Sequence, residues 1–441
     1  MTSIKPRERD AIIQSLAAGV VPRIGLQHIQ VDRKDEINAI LTDINRVANN
    51  GASVRFVIGR YGSGKSFFLN LTRILALEKK FVVANADITQ NVRLAGSNGK
   101  AQALYSELMH NIGVRARPEG GALSSVIEKW ISDVDFRSKK AGKTQEDIID
   151  IIHHELQPLQ DFVSGYDFAL VISKYYEGFS SDNDHLKASA LRWLAGDYTS
   201  KLEARQDLGV RSIISDETIY EYLKLWAIFT KMTGYSGFIV FIDELGIISH
   251  GLNSAQARDA NYDMILKIVN DCLQGNVSGI GFFFAGVDDF LNDTRRGIAS
   301  NEALARRLAR NTFKVEGIKD FSGPVIFLDN LSVEDTCVLL YNIRNVFANG
   351  NVDKYLIPDE GIEEFLSHCA RTLGSEFYRT PGDMAKSYVS LLSILEQNPG
   401  KTWKDIISPV SQKKEGKVPG IAPENPVTNK PKEDDLTSLR L

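Results

Sequence analysis

Apolar residues along this chain follow two periods, and the alternation between them predicts the architecture. Ser53-Val54-Arg55-Phe56-Val57-Ile58, Lys79 to Asp87, Gly237 to Glu244, Gly279 to Gly286 and Pro324 to Leu328 are short runs rich in β-branched and aromatic residues, as buried strands require. Around the first of these, apolar residues recur at helical spacing from Arg7 to Gly19 (Ile12, Ile13, Leu16), from Lys34 to about Asn49, and from Phe67 onward. Strands alternating with helices predict an α/β fold with a parallel sheet covered on both faces. The stretch 113–234 breaks the alternation. Trp130, Ile131, Ile148, Ile151, Leu156, Phe162, Leu170, Leu191, Trp193 and Leu194 lie at helical spacings there, interrupted by polar turns at Ser138 to Lys143 and Ser180 to Asp184, which predicts a large helical insertion. From Ser332 the pattern is helical again, through Leu339, Leu340, Ile343, Val346 and Phe347, then Ile362, Phe365, Leu366 and Cys369, then Pro381 to Leu395. Beyond about Ser411 large apolar residues nearly vanish, which predicts a disordered tail. The expected division is therefore 1–112 for an N-terminal segment and the first part of the sheet core, 113–234 for the insertion, 235–328 for the rest of the core, 329–410 for C-terminal helices and 411–441 for the tail. At 441 residues the chain exceeds what one hydrophobic core ordinarily organises, in line with that division.

Chemistry enters at the junction of the first predicted strand and the helix that follows it. Gly59-Arg60-Tyr61-Gly62-Ser63-Gly64-Lys65-Ser66 fits Gly-x-x-x-x-Gly-Lys-Ser/Thr at every fixed position. In that context the glycines let backbone N–H groups close around phosphates, and the helix N-terminus adds its positive dipole end. The candidate nucleotide contacts are Gly59, Arg60, Tyr61, Gly62, Ser63, Gly64, Lys65, Ser66 and Phe67. Lys65 would reach the β- and γ-phosphates, and the Ser66 hydroxyl would hold Mg²⁺. A glycine-rich turn matching by chance would not bring a strand before it and a helix after it. The run Phe238 to Glu244 supplies a second half: an apolar strand ending in two carboxylates. Asp243 is the candidate second ligand to Mg²⁺, and Glu244 the candidate general base that orients or activates the attacking water. With Lys65 it makes up the candidate catalytic set. A surface acidic pair is the plain alternative for these two residues alone. Together with the glycine loop, in a fold expected to bring the two strands together, they favour ATP hydrolysis over nucleotide storage. No Asn-Lys-x-Asp motif for guanine stands at a strand end. The long separation of Lys65 from Asp243 is filled by the insertion, whose role the sequence does not disclose.

Charge and composition narrow the classes. A net charge of −4 provides no general pull toward nucleic acid or an anionic membrane, so any such contact must be a local patch. Arg137, Lys139, Lys140 and Lys143 are the candidate patch, and a solvated loop is the simpler reading of them. Cys272, Cys337 and Cys369 are widely separated and lack metal-ligand spacing, as core thiols in a reducing compartment would be. The histidines form no ligand constellation, so no zinc site is expected. No apolar run reaches membrane-spanning length and Met1 to Pro6 has no signal-peptide character, from which a cytoplasmic protein without membrane contact is expected. Arg295, Arg296, Arg306, Arg307, Arg310 and Arg379 are candidates for sensing a γ-phosphate, each against the alternative of a solvated helix face.

Several segments together resemble a known family: Val20-Val21-Pro22, the glycine loop with Phe67 and Phe68, Ala190 to Gly196, Tyr222 to Leu225, Phe241-Ile242-Asp243-Glu244-Leu245 and Leu328-Asp329-Asn330-Leu331. The chain from about Arg7 to about Leu395 resembles the ATP-binding proteins of BREX-type bacterial phage-defence systems. The resemblance implies a P-loop NTPase core of AAA+/ASCE-like type, with a helical lid formed by the C-terminal helices and with ATP and Mg²⁺ as cofactors. It also implies work inside a multi-protein defence complex that acts on DNA. Other defence-system proteins are then the expected partners, with double-stranded DNA and a second copy of the chain (a homo-oligomer) as further candidates. The chain departs from the family at Gly286-Val287-Asp288-Asp289-Phe290, where related sequences carry a Gly-Thr-Pro-Glu-Phe-like segment. Val287 cannot hydrogen-bond through its side chain, so slow turnover is expected. The alternative reading is an interaction switch that binds ATP and hydrolyses it negligibly.

Overall fold

A computed structural model describes residues 4–31, 33–311, 320–372 and 380–410; the expected tail at 411–441 and the candidate Arg379 lie outside the described residues. Five strands form a parallel sheet: β1 (Ala52–Ile58), β2 (Val82–Asp87), β3 (Phe238–Asp243), β4 (Ile280–Gly286) and β5 (Val325–Phe327), in the order β2-β3-β4-β1-β5. Each falls within its predicted run, except that β1 begins one residue earlier, at Ala52. β1 and β3 come together through β4, which lies between them, pairing Val54 with Phe282 on one side and Val240 with the same Phe282 on the other. The reason lies in the β4 sequence, Ile-Gly-Phe-Phe-Phe-Ala-Gly, which is buried along its whole length and suits a strand with neighbours on both edges and layers on both faces.

The strand period of two separates the layers. Val54, Phe56, Ile58, Val240, Ile242, Phe282 and Phe284 point into one hydrophobic cluster, and Val57, Val83, Ile239, Phe241, Phe283 and Ala285 into another. The smaller layer is built on α2 (Lys34–Ala48) and α3 (Lys65–Glu78), through Ile40, Ile44, Val47, Phe68 and Leu77. The larger holds α4 (Lys100–His110), then α5 (Leu123–Lys140), α6 (Gln145–Gln160), α7 (Gly165–Ser180), α8 (Asp184–Leu194), α9 (Lys201–Leu208) and α10 (Ile219–Met232). These helices share an unbroken core with the sheet. Trp226 on α10 donates to the Tyr105 hydroxyl on α4 at 2.9 Å, and Tyr220 packs its ring near Phe282 of β4. Four short or long helices follow β3 and β4: α11 (Gly246–His250), α12 (Ala255–Gln274), α13 (Asp288–Asn292) and α14 (Glu302–Arg307).

A third cluster joins the two ends of the chain. α1 (Pro6–Ala18) packs on α15 (Val333–Phe347) and on α17 (Pro381–Gln397), with α16 (Asp359–Thr372) and α18 (Trp403–Val410) beside them. Ile4, Ile12 and Ile29 are buried with Leu340, Ile343, Val346, Tyr388 and Leu392, and Arg9 Nε donates to the Phe347 carbonyl at 2.9 Å. One buried ion pair fixes α2 to the sheet: Arg55 Nε of β1 meets Asp43 Oδ2 of α2 at 2.5 Å. No helix among the described residues is long and apolar enough to cross a membrane.

Candidate functional site

The loop after β1 is tight on one side and open on the other. Gly62 and Gly64 have φ of +76° and +94°, in the left-handed region that glycine adopts without strain. A Cβ on Gly59 would stand 2.6 Å from Ser63 Oγ and 2.8 Å from the Leu328 carbonyl, whereas nothing lies within 4 Å of one on Gly64. Gly64 is also the residue from which α3 begins, so the unpaired N–H groups of its first turn face that open side. Lys65 Nζ donates to the Gly59 and Arg60 carbonyls at 3.0 and 2.9 Å and lies 5.4 Å from the Tyr61 ring centroid. Burial lowers the pKa of its ammonium, against the opposing pull of Asp243, Glu244 and Asp288.

Across the loop, the end of β3 delivers the carboxylates despite the intervening β4. Ser66 Oγ donates to Asp243 Oδ2 at 2.6 Å, and Asp243 Oδ1 accepts from the Glu244 N–H at 2.7 Å. The hydroxyl and carboxylate are hard oxygen donors, a set that fits a magnesium ion. Glu244 has φ of +61°, an αL conformation costing a non-glycine residue on the order of 1–2 kcal/mol. Burial and then Asp243 and Asp87 raise the Glu244 pKa, with Lys65 opposing. Asp87 ends β2 directly opposite Asp243 in the sheet register, and burial and Asp243 raise its pKa too.

Beside the loop is a cavity of about 290 Å³, lined on its polar wall by residues 61–66, Asp243 and Glu244. Its apolar wall comes from both ends of the chain: Val20, Val21, Pro22 and Val31 before the loop, Leu339 and Ala385 after it. Phe67 also lines it. Sequence reasoning assigned no site role to Val20, Val21 or Pro22 and so missed this wall. It also missed Arg33, whose Nη2 donates to the Asp329 carbonyl at 2.9 Å and the Ser63 carbonyl at 3.3 Å. Burial lowers the pKa of that guanidinium. The N-terminus of α17 closes over the loop, with the Gly382 N–H donating to the Gly62 carbonyl at 3.3 Å. Its signal was present in sequence as Thr380-Pro381-Gly382-Asp383, a cap, a first-turn proline and an acidic N3 residue; the Thr380 side chain accepts from the Asp383 N–H.

The candidate arginines after β4 do not line this cavity. Arg296 is spent on the Ser249, His250 and Leu252 carbonyls, and Arg307 on Asn270 and the Ala303 carbonyl. Arg310 lies over the Phe327 ring, Arg306 pairs with Glu302, and Arg295 is exposed. In the basic cluster, Arg137 pairs with Glu155 and Lys139 with Asp135, which halves its free charge. Val287 does line the cavity, buried against the Gly246 backbone. Cys272 and Cys369 are buried, while Cys337 is half-buried.

Among known families, the model described as BREX system ATP-binding protein BrxC/D matches residues 4–411. No curated protein matches the chain.

Proposed function

The chain belongs to the BREX system ATP-binding protein BrxC/D family, and from that premise we propose that it is a Mg²⁺-dependent ATPase of a DNA-associated phage-defence complex. ATP binding and hydrolysis would assemble or remodel that complex in the cytoplasm, with other defence proteins as partners and double-stranded DNA and further copies of the chain as candidates. One observation carries the hydrolytic reading. Ser66 Oγ and Asp243 Oδ2 stand 2.6 Å apart, and Glu244, on αL backbone at the same strand end, lines the cavity beside them.

In this reading the N–H groups of residues 62–66 bind the phosphates, and Lys65 exchanges the Gly59 and Arg60 carbonyls for phosphate oxygens. Ser66 and Asp243 would hold Mg²⁺, which when bound neutralises phosphate charge. Glu244 takes the proton of the attacking water, a task that its raised pKa favours. The apolar wall of Val20 to Pro22, Leu339 and Ala385 suits the faces of a purine base. The strand order, with β4 between the loop strand and the acidic strand, supports an AAA+/ASCE-like core, and the Gly382–Gly62 contact supports a lid role for the C-terminal helices.

Val287 favours a second reading, a nucleotide-dependent interaction switch with negligible hydrolysis, because no polar side chain follows β4 at that point. Turnover by the purified protein with Mg²⁺, with and without double-stranded DNA, separates the two. Hydrolysis that disappears in Lys65→Ala and Glu244→Gln, with ATP still bound by the second, is the expected result. ATP binding without turnover under either condition would establish the switch instead, and turnover unaffected by Glu244→Gln would remove that residue as the base.

A further inference from the structure

The glycine loop carries one bulky side chain on its open side. Tyr61 is 70% exposed, and its hydroxyl has no hydrogen-bond partner among the described residues, yet the residue lines the cavity. Its ring stands over Lys65, with Nζ 5.4 Å from the centroid. Its hydroxyl reaches across to the turn after Glu244, where a Cβ on Gly246 would lie 3.9 Å from it. That same point lies 3.0 Å from Val287 Cγ2. The free phenol, the Gly246 backbone and Val287 therefore converge on one stretch of the wall that Lys65 and Glu244 also line.

A terminal phosphoryl group held by Lys65 and attacked by a water on Glu244 must lie between these two side chains. A residue sensing its charge must offer a donor from the adjacent wall. Val287 has none, whereas the Tyr61 hydroxyl can donate and has no competing partner. We infer that Tyr61 reads the γ-phosphate: its hydroxyl supplies the neutral donor that Val287 lacks, so that the loop distinguishes ATP from ADP. The ring has a separate task, covering the Lys65 ammonium by a cation–π contact that does not depend on which nucleotide is bound. This inference rests on the ATPase reading above.

The test is calorimetric titration of Mg-ATP and Mg-ADP into the full chain carrying Glu244→Gln, with and without Tyr61→Phe. Phenylalanine keeps the ring and removes the donor at an exposed position, so folding is not at stake. The expected result is an ATP-to-ADP affinity ratio that falls about ten- to hundredfold in the Tyr61→Phe protein, the range for one hydrogen bond to a charged group, with ADP affinity unchanged. An unchanged ratio with both nucleotides still bound would overturn the inference and leave the ATPase reading standing. Equal loss for both nucleotides would make Tyr61 a binding element without γ-phosphate selectivity, which also overturns it. Failure of either nucleotide to bind with Tyr61 intact would remove the ATPase reading itself.

Discussion

Asp43 should be among the most sensitive positions in the chain, although it does not line the cavity. Its side chain is fully buried on α2, and it meets Arg55, whose side chain is 7% exposed, at 2.5 Å. Arg46 also reaches Asp43, at 3.2 Å, but is 55% exposed and can turn to water. Arg55 spends its Nη1 on the Phe321 and Gly323 carbonyls, so it cannot leave. Asp43→Ala therefore strands a buried guanidinium, for which the expected loss is about 3–5 kcal/mol. Against a total of about 5–15 kcal/mol for a folded domain, that is about a fifth or more. The double change Asp43→Leu with Arg55→Met removes both charges and leaves two carbonyls short of a donor, at about 1 kcal/mol each, so its loss should be nearer 2 kcal/mol. Urea unfolding followed by circular dichroism measures both. The same pair anchors β1, which ends at the glycine loop, so saturating ATP should offset part of the damage. At a hundred times Kd the expected gain is about 2.7 kcal/mol. A loss under about 1 kcal/mol for Asp43→Ala, or a double variant less stable than the single one, would refute the reasoning.

Arg33→Ala frees the Ser63 and Asp329 carbonyls and should weaken ATP binding about tenfold, with Arg33→Lys recovering only part because an ammonium lacks the guanidinium fork; nucleotide titration of the three proteins checks this. Asp87 carries a pKa raised by burial and by Asp243, so its ionised form costs the fold stability at neutral pH; the cost fades as pH falls through the folded pKa and is gone below about 4, where the unfolded state is protonated too. Asp87→Asn should therefore raise the melting temperature of the nucleotide-free protein at pH 7, with the gain shrinking as the melt is repeated toward acid. Val287→Thr adds a hydroxyl to the wall that Tyr61 reaches. It should restore, in a Tyr61→Phe background, much of the lost preference for ATP over ADP, read by the same calorimetry.

What was legible in the sequence was whatever depends on neighbours along the chain. The strands, the glycine loop, the carboxylates after Phe241 and the helix beginning near Pro381 all follow from local period and motif. The order of strands did not, because it is fixed by which crossovers cover which face, and nothing local to β1 or β3 shows that β4 inserts between them. The Arg55 side chain points to an interior position that alternation alone reads as polar and outward; its partner Asp43 is needed to make that burial tolerable. The apolar wall of the cavity was hidden for the same reason. Arg33 and Asp329 are 296 positions apart, and Arg9 and Phe347 are 338 apart, yet both pairs are hydrogen-bonded. No window along the sequence contains both members of such a pair.

Those long-range contacts also decide which parts of a bound nucleotide can act at a distance. The phosphate side of the cavity belongs to β1 and β3, locked in one sheet through β4, and to α3, which packs on that sheet. The apolar side belongs to α15, α17 and the segment behind α1, whose core is separate from both sheet layers. The described hydrogen bonds to the loop from that side are few: Gly382 to Gly62 at 3.3 Å and Arg33 to Ser63 at 3.3 Å. A ligand shifts a conformational equilibrium only by its differential affinity for the two states. Phosphates held wholly by the sheet elements contribute little to such a difference, however tightly they bind. A base held between Val20 to Pro22 and Ala385, on the same molecule as phosphates held at Lys65, contacts both bodies at once, and so does a γ-phosphate read at the loop tip beneath the α17 N-terminus. Under the proposed function, the two chain ends therefore join at the place where nucleotide identity and hydrolysis state would bias their position against the sheet.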